Sequence, residues 1–174
     1  VRGPEILHLA THGFFLPDEE AQAQSSSAGV NVRENPLLRS GLVLAGANKL
    51  LSGDEDGILT ALEASGLDLQ GTKLVVLSAC ETGVGKVTNG DGVYGLRRAL
   101  VIAGAESLVM SLWQVDDEAT KELMVGYYKR LAAGKSRSTA LREVQIELMG
   151  RDRYRHPYYW ASFVAAGDDS PIRL

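Results

Sequence analysis

Cysteine is all but missing from this chain: among 174 residues only Cys80 carries a thiol. A single cysteine excludes an internal disulfide and makes a reducing, cytoplasmic setting the expectation. Long apolar runs are missing too. None approaches the roughly 20 residues of a membrane span, and no charged-then-apolar leader opens the chain. Nor is there a positive excess. The formal net charge is −4, without a Lys/Arg cluster, so neither nucleic acid nor a membrane is an expected partner. Internal repeats are likewise absent. What remains, 45% hydrophobic and 23% charged residues, suits a single globular domain over 1–174 with its own core. Pro4 is followed almost at once by a core strand, so the chain is expected to be cropped from something longer.

The thiol ends an apolar run. Lys73-Leu74-Val75-Val76-Leu77-Ser78-Ala79 reaches Cys80 and stops in Glu81-Thr82-Gly83, as a buried parallel strand does at the rim of a sheet. That rim is where open α/β folds hold their chemistry. A second run, Glu5-Ile6-Leu7-His8-Leu9-Ala10, ends in Thr11-His12-Gly13. One cysteine and one histidine, 68 residues apart, thus stand at matching strand ends, which is the pairing a thiol protease needs. A thiolate nucleophile also needs donors for the developing oxyanion. The backbone amides of Cys80 and Gly13 are candidates, and Gly13 has no side chain to block a scissile carbonyl. The plain alternative is that Cys80 is a small buried hydrophobe, the commonest fate of a free cysteine. Spacing alone leaves both readings open.

Elsewhere, strands and helices alternate. Residues 17–36 are polar, small and aperiodic, which reads as a flexible loop inside the domain. Ser40–Gly46 suits a short strand, Gly57–Ala64 a short helix and Val93–Ala103 a helix stopped by Gly104. Ser107–Trp113 suits a third buried strand. Asp116 or Asp117 suits the cap of an amphipathic helix to about Ala132, with Leu123, Tyr127, Tyr128 and Leu131 at helical spacing. A helix over Ser138–Met149 and a strand over Tyr159–Ala165, ending at Gly167, complete the pattern. It predicts an α/β fold with a mostly parallel central sheet and helices on both faces.

Three rival motifs fail. The Cys80–Val87 stretch has the position of a phosphate-binding loop, yet Cys80 stands where glycine is needed and Val87 where Ser or Thr would hold magnesium. His8 and His12 have the i, i+4 spacing of a zinc-protease helix, but Leu9 replaces its glutamate and the segment reads as strand. No Gly-x-Ser-x-Gly elbow exists. No metal is expected, and His8 and His156 read as structural. Trp113 and Trp160 are by default core or pocket wall.

Six segments, in order, resemble the CHAT domains, a caspase-like cysteine peptidase family often found beside tetratricopeptide repeats. They are His8-Leu9-Ala10-Thr11-His12-Gly13, Asn35–Ala47, Leu77-Ser78-Ala79-Cys80-Glu81-Thr82-Gly83, Ala103-Gly104-Ala105, Ser111–Asp117 and His156–Phe163. The resemblance implies a caspase–hemoglobinase-like fold, a His12–Cys80 dyad and an oxyanion hole from the Gly13 and Cys80 amides. It departs in two places. The family's domain has further sheet elements upstream of the histidine strand. Caspases proper carry arginine after the tryptophan, where this chain has Gln114. The expected function is a cysteine endopeptidase cutting partner proteins, needing no cofactor and associated with a tetratricopeptide-repeat region or another regulatory domain. The alternative is a catalytically silent interaction module. Ser78, Trp113, Gln114, Asp116 and Asp117 are expected to line a neutral-to-acidic substrate pocket.

Overall fold

The computed structural model describes residues 3–15, 36–47, 56–81, 91–113 and 116–173. In chain order these form β1 (Ile6–Phe15), β2 (Ser40–Val43), β3 (Ile58–Thr60), α1 (Ala61–Ser65), β4 (Leu74–Glu81) and α2 (Asp91–Ile102). There follow β5 (Ser107–Ser111), α3 (Asp117–Ala132), α4 (Arg137–Met149) and β6 (Phe163–Gly167). The six strands make one sheet in the order β3-β2-β1-β4-β5-β6. β1, β4 and β5 run parallel. β2, β3 and β6 are antiparallel to their neighbours. The α/β class stands, with the parallel pairing confined to the three middle strands.

Alternation along the middle strands sorts their side chains into two layers. Val75, Leu77, Leu108 and Met110 pack with Ala61 and Ala64 of α1 and Leu96, Ala99 and Leu100 of α2. Leu74, Val76 and Val109 pack on the other side with Leu123, Tyr127 and Leu131 of α3 and Leu141, Val144 and Leu148 of α4. Helices therefore cover both faces. None among the described residues is long and apolar enough to cross a membrane.

Several boundaries differ from the sequence pattern, each for a physical reason. β1 does not stop at Thr11–Gly13. It continues to Phe15 because β2 pairs with it from His12↔Val43 to Phe15↔Ser40. The run Gly57–Ala64 divides into β3 and α1. The divider is Thr60, whose hydroxyl accepts the Glu63 N–H at 3.2 Å while the Glu63 carboxylate accepts the Thr60 N–H at 2.8 Å. This reciprocal cap starts the helix only at Ala61. The last strand begins at Phe163, since Pro157–Tyr159 forms a 3-10 turn first. The 17–36 loop lies outside the described residues except for Pro36, which opens a 3-10 turn through Leu38.

The outer surface of α3 and α4 carries a lattice of ion pairs. Arg130 reaches Glu147 at 2.8 Å and Glu143 at 3.4 Å, and Lys135 reaches Glu143 at 3.0 Å. Arg151 bonds both Glu122 and Glu147, and Arg153 bonds Glu118.

The β1–β2 junction is tight. A Cβ on Gly41 would lie 2.6 Å from the Leu59 carbonyl oxygen and 2.8 Å from two ring carbons of Phe14. Gly41→Val is expected to destabilise the protein by about 1–3 kcal/mol. Chemical denaturation measures this, and an unchanged midpoint would remove Gly41 as a constraint on the junction.

Candidate active site

Parallel pairing of β1 with β4 runs from Ile6↔Leu74 to Gly13↔Glu81 and sets His12 opposite Cys80. Neighbouring strands lie roughly 4.8 Å apart, and residues in register share a face of the pleat. The two positions of the expected dyad are therefore adjacent, although 68 residues separate them in the chain. Ile6 packs against the α3/α4 core, and alternation puts His8, Ala10 and His12 on that same side. All three are exposed. Thr11 donates its hydroxyl to the Val43 carbonyl. Val43 is also the β2 partner of His12, so this bond fastens β2 beside the histidine. Gly13 is buried and paired on both sides, with Leu42 and with Glu81.

Of the expected pocket residues, Ser78 lies on β4, Trp113 follows β5, and Asp116 and Asp117 stand at the start of α3. Ser78 is half-buried, two residues before Cys80, with Ala10 as its β1 partner. Just past β5, Trp113 is 37% exposed, and its Nε1 donates to the Tyr158 carbonyl at 3.4 Å. Gln114 lies outside the described residues. Asp116 caps α3, its carboxylate accepting the Ala119 N–H at 2.9 Å. Asp117 is the exposed first residue of that helix.

The other histidines have structural partners. His156 Nδ1 accepts the Tyr158 N–H at 3.1 Å and caps the 3-10 turn. His8 Nδ1 lies 2.9 Å from the Tyr128 hydroxyl, with the two rings 5.7 Å apart. His8 and His12 sit four residues apart on an extended strand, roughly 13 Å, and not on one helical turn. Among the described residues no group of three or more His, Cys, Asp or Glu is placed to hold a metal ion. Trp160 packs against the α3/α4 core. Sequence reasoning missed the Tyr128 contact with His8 and the Tyr158 support of Trp113. Tyr128 did stand in the helical stripe of α3, but the stripe does not say which strand residue it meets.

A model of the CHAT domain matches residues 1–168 of the chain. This chain belongs to the CHAT-domain family. The CHAT domain has a caspase-like α/β fold and falls in a caspase-like peptidase superfamily. Human (Homo sapiens) tetratricopeptide repeat protein 28 is 31% identical over 158 residues, covering 91% of this CHAT domain. The mouse (Mus musculus) protein of the same name is 36% identical over 112 residues, covering 64%. This CHAT domain spans only 6% and 4% of the lengths of those two relatives.

Partial burial of the ring lowers the pKa of His8 below 6.5, and burial pushes the Tyr128 hydroxyl up to about 12. Tyr128 therefore keeps its proton at neutral pH, and its hydroxyl and His8 Nδ1 share one hydrogen bond. As pH falls, the unfolded chain protonates His8 first. Stability linked to His8 is thus present above pH 6.5 and declines as pH falls from there toward the folded pKa. NMR titration should find His8 titrating below 6.5, and Tyr128→Ala should raise its midpoint. A His8 midpoint at 6.5 or above in the native protein contradicts this account.

Proposed function

We propose that this CHAT domain, taken as one unit over 1–174, is a cysteine endopeptidase of the cytoplasm that hydrolyses peptide bonds in partner proteins. The observation that carries the reading is the β1–β4 register, in which His12 and Cys80 are paired. In the proposed reaction the Cys80 thiolate attacks the scissile carbonyl carbon, and a C–S bond forms as the carbonyl π electrons move to oxygen. The Gly13 and Cys80 amides are the proposed donors to that oxyanion. Collapse of the intermediate breaks the C–N bond, and His12 gives its proton to the departing amine. Water then attacks the thioester, with His12 taking its proton, and the thiolate leaves as the acid product forms. No metal or organic cofactor is required for these steps.

Ser78, Trp113, Gln114, Asp116 and Asp117 are the proposed lining for the residue before the cut. The Asp116 carboxylate is engaged in the helix cap, which weakens a preference for basic residues, while the lining still offers no cation to an acidic one. Leucine, methionine, lysine and arginine there should be cleaved faster than aspartate in a matched peptide series. Fastest cleavage after aspartate would refute the pocket assignment. The relatives are named as tetratricopeptide repeat proteins, which supports a repeat region as the regulatory partner of this domain.

A second reading, a catalytically silent interaction module, is favoured by one feature. Gly13 is buried between two ladder partners, a closed surrounding for an oxyanion donor. An electrophilic peptide ketone decides between the readings. Covalent labelling of Cys80 is expected, with His12→Ala lowering both labelling and turnover by about 10²–10⁴ and Cys80→Ala abolishing both. Full proteolytic activity in Cys80→Ala, or no labelling of the native thiol, would sink the peptidase reading.

A further inference from the structure

The β4–β5 register is recorded as far as Leu77↔Met110. Because β5 runs parallel to β4, the segment that follows β5 leaves the sheet at the same rim toward which β4 carries Cys80. Here Leu112 and Trp113 are 40% and 37% exposed, and Tyr158, brought alongside by the 3-10 turn, is 41% exposed. The arrangement is fixed from several sides. The Leu112 N–H donates to the Ser162 carbonyl at 3.0 Å, Trp113 Nε1 donates to the Tyr158 carbonyl at 3.4 Å, and His156 holds the Tyr158 N–H. Tyr158 also stands edge-on to Tyr159, with centroids 5.3 Å apart.

Three large apolar residues exposed near one strand end, two of them tied by the Trp113–Tyr158 bond, are unlike apolar residues scattered singly over a surface. Ligand sites combine such apolar walls with a few polar groups. Building on the peptidase reading above, we infer that Tyr158, acting together with Leu112, is a specificity-determining residue. It receives a large apolar side chain from one of the two substrate residues preceding the scissile bond. The shelf is held by backbone bonds and a capped turn, so it is formed before substrate arrives and little ordering accompanies binding.

The test uses fluorogenic peptides with Leu, Phe, Ser or Asp placed separately at each of those two positions. It compares the native protein with Tyr158→Ser, Leu112→Ser and Tyr158→Phe, each checked for an unchanged melting curve. The native protein should favour Leu or Phe over Ser at one position by about tenfold or more in kcat/KM. Tyr158→Phe should keep the preference, and Tyr158→Ser should erase most of it by slowing the Leu and Phe peptides far more than the Ser peptide. Cys80-dependent cleavage without apolar preference at either position overturns the shelf alone. So does a preference that survives in Tyr158→Ser. Absence of Cys80-dependent cleavage from every peptide, together with no labelling of Cys80 by the ketone, overturns the shelf and the peptidase reading together.

Discussion

Parallel pairing of β1 with β4 is the contact on which the rest of this protein depends. Side chains alternate with a period of two, so slipping the pair by one residue would turn a whole buried set to the opposite layer. Leu74 and Val76 belong to one core, Val75 and Leu77 to the other, and all four are buried. The two cores therefore oppose a slip from both sides. The same register that satisfies them sets His12 level with Cys80. The alignment of two reactive residue types is a by-product of packing far from either.

Antiparallel strands at both edges complete this arrangement. β2 returns along β1 and lengthens it to Phe15, carrying the histidine position from a strand end into a paired stretch. On the opposite side β6 runs back along β5, and its approach through the 3-10 turn brings Tyr158 to Trp113. The carboxyl rim of the three parallel strands is thus bordered by chain from distant parts of the sequence. Each border is fastened by backbone bonds and by a short polar side chain, Thr11 on one side and His156 on the other.

Much of this was legible in the residues. The three middle strands were apolar runs with abrupt ends, and α3 showed its stripe at Leu123, Tyr127 and Leu131, all now buried. Gly104 follows α2 and Asp116 caps α3, as their types suggested. What could not be read were boundaries set by partners. Nothing local in Thr11–Gly13 reveals that β2 will pair there, and Ile58 and Leu59 fit a helix as well as a strand until Thr60 forms its cap. The two apolar runs placed Cys80 and His12 on strands, but His12 lies inside β1 and not at its end, because β2 pairs there. The contacts of Val43 with Thr11, Tyr128 with His8 and Tyr158 with Trp113 are tertiary ones that no window of sequence contains.

The ion-pair lattice over α3 and α4 makes the link between these two helices responsive to solvent. Each exposed pair alone contributes little, but here carboxylates are shared: Glu147 between Arg130 and Arg151, Glu143 between Arg130 and Lys135. Hydrogen bonds from Lys135 to Glu143 and from Arg130 to Glu147 hold both carboxyls below their usual range. Their contribution is present at neutral pH and is lost as acid protonates them. Ionic strength weakens the same links. The links between α3 and α4 therefore weaken together in acid and in salt, on the side of the sheet that carries His8 and His12. The α1–α2 layer is held to the sheet by its apolar core, as α3 and α4 are beneath their ion pairs.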